Sequence, residues 1–248
     1  MLGELADARE ELLTVLTGMM GRQLLPLEAL FDLATETHSH LIKEAEERSS
    51  QDVSTFLLCV ARSLWGCTRL AVSKFELILC GLGEEAKLLN RLQIEGVEML
   101  HWLLVNPQRA EDALAGRCPK AGIRAKDAGS PYWEARDHLN KSKAHFSLKD
   151  MLSGRDAAKD ASIAYLKYEL LSTFADLSAA LAPAISSMAL AGLSNHRIAD
   201  QAEDLLEIGF KSFGIHAIAS FGVPKELPRD QQANYRYRSA WPEIARFP

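Results

Sequence analysis

Residues 84–104 read Glu84-Glu-Ala-Lys-Leu-Leu-Asn-Arg-Leu-Gln-Ile-Glu-Gly-Val-Glu-Met-Leu-His-Trp-Leu-Leu104. The apolar residues Leu88, Leu89, Leu92, Ile94, Val97, Met99, Leu100, Leu103 and Leu104 recur at helical rather than alternating spacing. They are also too widely spread round the helix for a single apolar stripe, so this segment predicts an inner helix with neighbours on several sides. Glu84 and Glu85 place negative charge at the positive end of the helix dipole, and Asn106-Pro107 stops the helix. Immediately upstream, Gly81-Leu-Gly83 is a hinge, and before it a helical pattern runs from about residue 53 to residue 80. The two segments predict a long antiparallel hairpin at the centre of an all-α fold.

The same periodicity extends outward in both directions. A first helix is expected over about 3–18, ended by Gly18 and Gly21, and a second from Pro26, a residue suited to a first helical turn, to about Arg48. Ser49-Ser-Gln-Asp52 breaks the pattern and offers Ser50 or Asp52 as the next N-cap. After a short helix at about 108–115, Gly116, Pro119, Gly122, Gly129 and Pro131 mark residues 116–131 as a loop. Further helices are expected at about 132–145, 156–182, 183–191 and 195–222, followed by an extended tail, 223–248. The expected organisation is one bundle of seven to nine helices over 1–222, with a basic connector at 116–131. Between Asp176 and Arg197 no charged residue appears, yet Ser178, Pro183, Ser186, Ser187 and Gly192 dilute the stretch, which reads as buried core at a proline-marked junction rather than a membrane span.

The 248 residues carry 28 basic and 33 acidic side chains, a net charge of -5, which excludes a uniformly basic nucleic-acid binder. Charge is unevenly placed: residues 117–149 hold eight bases, Arg117, Lys120, Arg124, Lys126, Arg136, Lys141, Lys143 and Lys149, against three acids, with Tyr132, Trp133, His138 and His145 interleaved. Any nucleic-acid contact is therefore expected through 117–149, where cations clamp phosphates and aromatic rings stack on bases. Cys59, Cys67, Cys80 and Cys118 have no Cys-x-x-Cys spacing and read as reduced thiols. The acidic first residues lack the basic and apolar run of a secretory leader, so a cytoplasmic location is expected.

Arg91, Glu95, Glu98 and Trp102 follow at i, i+4, i+7 and i+11 and share one stripe of the inner helix. That stripe reads either as an internal Arg91–Glu95 pair fixing helix packing or as one wall of a ligand site. Glu98-Met-Leu-His101 has the Glu-x-x-His spacing of di-metal helical bundles, but such a centre needs a second copy and two further helical glutamates, and only one copy occurs. No metal or cofactor is expected. His38, His40 and Glu44 lie in a polar stretch that reads as a solvated face, and His216, between Ile215 and Ala217, reads as a core histidine.

The run Gly81-Leu-Gly-Glu-Glu-Ala, then Arg91-x-x-x-Glu95, His101-Trp102 and the downstream His145-Phe-Ser147 resembles an uncharacterised bacterial all-helical family across about residues 60–150. The resemblance implies a cytosolic helical bundle with Arg91, Glu95 and His145 as its polar signature. Such families are likened to the HEPN superfamily of RNA-cleaving bundles, whose nucleases carry an Arg with a His four to six residues on. Here Arg91 precedes His101 by ten positions, and Arg136 precedes His138 by two and His145 by nine. Two functions are expected from the whole: a non-enzymatic module binding a protein partner, a second copy or a small ligand through Arg91, Glu95, Glu98, Trp102 and His145, or an RNase using Arg136, His138 and His145.

Overall fold

A computed structural model describes residues 2–80, 82–129, 163–193 and 195–212. These residues form an all-α fold: α1 (Leu2–Glu47), α2 (Gln51–Leu79), α3 (Gly83–Val105), a single 3-10 turn (Pro107–Arg109), α4 (Ala110–Leu114), α5 (Ala121–Asp127), α6 (Ile163–Leu190) and α7 (His196–Ser212). The expected helices at 132–145, the start of the one at 156–182, the end of the last helix and the tail 223–248 lie outside the described residues.

The two helices expected at 3–18 and 26–48 are joined as α1, with a non-helical residue at Met20 (φ -130°, ψ 20°) between Gly18 and Gly21. The bend there is sharp. Phe31 lies against Phe75 of α2, with ring centroids 6.2 Å apart, while Arg9 holds the adjacent Glu76 through two hydrogen bonds of 2.9 Å. In a straight helix Arg9 and Phe31 would stand about 33 Å apart along the axis, too far for both to reach neighbouring residues. The first arm of α1 therefore doubles back over the end of α2.

The α2–α3 hairpin forms as its spacing predicts. Leu82 donates its backbone N–H to the Leu77 carbonyl at 2.8 Å, closing the end of α2, and Ala86 bonds back to Leu82 at 3.0 Å to open α3. Gly96 lies against Cys67 so closely that an added Cβ would sit 2.6 Å from Sγ, which fixes the hairpin register. Ser50 is the N-cap of α2 without a side-chain bond, and Ser54 Oγ instead donates to the Ala45 carbonyl at 2.7 Å, tying α2 to the end of α1.

Two expectations are corrected. The 116–131 loop contains α5, entered after Gly116, whose φ of 72° ends α4 and lets Arg117 N–H reach the Asp112 carbonyl at 2.8 Å. And α6 runs unbroken through Pro183, where a break between two helices was expected. Proline removes one backbone donor and leaves the carbonyl of Ala179 without its usual helical partner. Close packing outweighs that loss: every residue from 169 to 188 is buried, and Ser186 and Ser187 hydroxyls donate to the carbonyls of Ala182 and Pro183 at 3.1 and 2.8 Å.

This enclosure explains the charge-poor composition of α6. The segments Gln51–Leu79 and Glu169–Leu190 are both long and apolar enough to cross a membrane, and 89% of the most apolar stretch of the second is buried within the bundle. The core that α6 completes includes Leu16, Leu27, Leu30 and Leu41 of α1, Leu57, Leu64 and Ile78 of α2, Val97, Leu100 and Leu103 of α3, and Phe210 of α7.

Candidate functional site

The interior of the bundle is not wholly apolar. On α2 the stripe Cys67, Ala71, Lys74, Ile78 repeats at i, i+4, i+7 and i+11, so Lys74 occupies a core position and is 0% exposed. On α6 Glu169, Ser172, Thr173 and Asp176 share one face, and all four are buried. Lys74 Nζ bridges the two helices, donating to Asp176 Oδ2 at 2.7 Å and to Ser172 Oγ at 3.2 Å. Burial pushes the Asp176 carboxyl above its ordinary range, against the opposing pull of Lys74 and of the Ser172 hydroxyl. Burial, reinforced by the Asp176 charge, also drives the neighbouring Cys67 thiol up to about 12, so this sulfur is a core atom and not a nucleophile.

The register set by Cys67 and Gly96 brings Lys74 opposite Leu89 and Asn90 of α3, one turn before Gln93. Gln93 is fully buried, and neither its amide oxygen nor its amide nitrogen makes a hydrogen bond. A primary amide has two donors and an acceptor with two lone pairs, so an unpartnered one in the interior is costly. Lys74, Asp176 and Ser172 form one polar cluster between α2 and α6, and Gln93 is buried on α3 about one helical turn along from the level of Lys74. The cluster offers a cation, an anion and a hydroxyl, with the Gln93 amide on the third helix, in an interior closed to bulk solvent.

The stripe expected on α3 divides between surface and interior. Arg91 and Glu95 form a 3.2 Å pair with side chains 44% and 27% exposed, so it is a surface i, i+4 pair and not the internal one anticipated. Both side chains keep much of their water, which limits what the pair contributes. Glu98 and Trp102 are buried, the latter with the Arg109 guanidinium 5.7 Å from its ring centroid, and His101 is buried beside them. Among the described residues no group of three or more His, Cys, Asp or Glu side chains is arranged to hold a metal ion. Arg136, His138, His145 and His216 lie outside the described residues.

His38 departs from the solvated face expected of it. It stacks on Trp65 of α2 with ring centroids 5.0 Å apart and planes inclined by 28°, and burial lowers its pKa below the ordinary imidazole value. Lys74 and Asp176 went unread in the sequence. The stripe Cys67, Ala71, Lys74, Ile78 was the signal for the first, and the isolation of Asp176 within an apolar helix was the signal for the second.

No family model matches the chain, and neither a curated protein nor a solved structure resembles it.

Proposed function

We propose that the protein is a non-enzymatic helical module of the cytoplasm that binds a small polar ligand inside the bundle, between α2, α3 and α6. The observation that carries this reading is the fully buried, unpartnered amide of Gln93, one helical turn from the level of a fully buried Lys74–Asp176 pair. A bundle selected only for stability gains nothing from such groups, because an apolar replacement of a buried ion pair is commonly neutral or stabilising. Perturbed buried charges cluster where proteins bind or react. The Cys67 thiol is pushed too high to act as a thiolate, which favours binding over thiol chemistry here.

The donor set selects a small zwitterion. A carboxylate would meet Lys74, an ammonium would meet Asp176, and the Gln93 amide can both donate and accept. The test is a thermal-shift screen of free amino acids and amino-alcohol phosphates against the full chain and the double variant Lys74→Met/Asp176→Leu, with native mass spectrometry of the gently purified protein. At least one compound should raise the melting temperature of the wild type and leave that of the folded double variant unmoved. Equal shifts in both proteins, or none in either, would reject the internal site.

A further inference from the structure

The outer face of the α1–α2 pair carries a different set of groups. Along α2, Arg62, Gly66, Arg69 and Ser73 follow at i, i+4, i+7 and i+11, all exposed, with Trp65 beside them. His38 stacks against Trp65, yet the tryptophan remains 40% exposed, which leaves about one face of the indole in water. An aromatic ring held against a second ring has little freedom to lose when a third flat group is added. That is the property of a stacking platform.

The arginines of this protein differ in what holds them. Arg9, Arg48, Arg91, Arg109, Arg117 and Arg197 each pair with a carboxylate. Arg62 and Arg69, like Arg22 of α1, make no ion pair or hydrogen bond among the described residues, although the chain carries five more acids than bases. Gly66 stands between Arg62 and Arg69. A glycine inside a helix weakens it and commonly marks a close approach by a neighbour, as at Gly96 against Cys67 and Gly209 against Phe174. At Gly66 nothing lies within 4 Å of the Cβ position, so packing gives no reason for it. With no side chain at Gly66, the helix surface is low beside Trp65, one turn from Arg62 on one side and from Arg69 on the other.

We propose that this face binds a nucleobase ring carrying a phosphate. The ring stacks on the free face of Trp65, and Arg62 and Arg69 hold the phosphate across the low surface at Gly66, where planar guanidinium groups suit phosphate oxygens. Free nucleotides and single-stranded nucleic acid share this chemistry. The site is separate from the internal one proposed above and does not rest on it.

The test titrates the full chain with adenosine monophosphate, read by tryptophan fluorescence, and with a fluorescein-labelled oligoadenylate, read by anisotropy. Binding of the mononucleotide identifies the free nucleotide as the source, and binding of the oligomer alone identifies the single strand. Arg62→Gln/Arg69→Gln and Trp65→Leu should each weaken binding by roughly tenfold or more. For the oligomer, the logarithm of affinity should fall with the logarithm of salt with a slope of about -1.4, that of two phosphates held on a single strand. Gly66→Gln covers this low surface with a good helix former. It should weaken binding while raising the melting temperature by roughly 1–3 °C, a combination a purely structural glycine would not give. Neither probe binding at millimolar concentration, or wild-type affinity in Arg62→Gln/Arg69→Gln or in Gly66→Gln, would overturn the proposal. These exposed positions keep the outcome independent of any folding defect in Trp65→Leu.

Discussion

At the scale of single residues, burial separates two ion pairs of the same charge chemistry. Arg91–Glu95 is a solvated i, i+4 pair, a class that contributes about 0.3–0.5 kcal/mol. Lys74–Asp176 is enclosed, and its two charges have lost their water. Lys74→Met alone should therefore strand a buried carboxylate and cost roughly 3–5 kcal/mol. The double change Lys74→Met/Asp176→Leu should recover most of that loss or exceed wild-type stability, as urea unfolding of the three proteins would show. His38 makes a second prediction. Its folded pKa is depressed below 6.5 by burial, so the unfolded chain takes up a proton at a higher pH than the folded one. The stability it contributes is complete above 6.5 and is lost as the pH falls through the lower folded value. The C2 proton of His38 should titrate below 6.5 by NMR, and the wild type should lose more stability between neutral and mildly acid pH than His38→Gln does.

At the scale of elements, glycines set how closely helices approach. Gly209 of α7 faces the buried ring of Phe174 in α6, where a Cβ would sit 2.0 Å from Cζ, and Phe174 in turn meets Phe210 edge-on with centroids 5.2 Å apart. Gly209→Ala must displace a ring that has nowhere to go, and it should cost on the order of 1–3 kcal/mol despite the better helix propensity of alanine. Phe174→Leu placed on the Gly209→Ala background should cost less than it does alone, a coupling that a double-mutant cycle of thermal melts would measure. The helices themselves were legible, because Gly, Pro and the 3.6-residue period mark most of their ends, including the elbow of α1 between Gly18 and Gly21. Pro183 misled, because its local penalty is visible in sequence while the surrounding packing that overrides it is not. In the same way α5 was hidden by Gly122, which a short helix tolerates.

At the scale of the whole molecule, the polar cluster could not be read from spacing, because it joins residues about a hundred positions apart: Lys74 meets Asp176 and Ser172 only once α6 is seated against the hairpin. Sequence pattern reports which face of a helix is buried, not which other helix it is buried against. The stripe on α3 was legible as a stripe, yet its division into an exposed Arg91–Glu95 half and a buried Glu98–Trp102 half depends on where α2 and α6 stand. Hence the fold class could be anticipated where the site could not.

The burial of α6 along its length also bears on how the chain is made. A ribosome releases α1, α2 and α3 before α6 exists, and at about 5–20 residues per second the interval from the end of α3 to the end of α6 lasts roughly 4–17 s. Throughout that time α2 and α3 lack the helix that packs on both of them, and Lys74 has no Asp176 to pair with. The lysine that is costly in the finished core keeps its water until α6 is made, and it finds its partner only when Asp176 arrives.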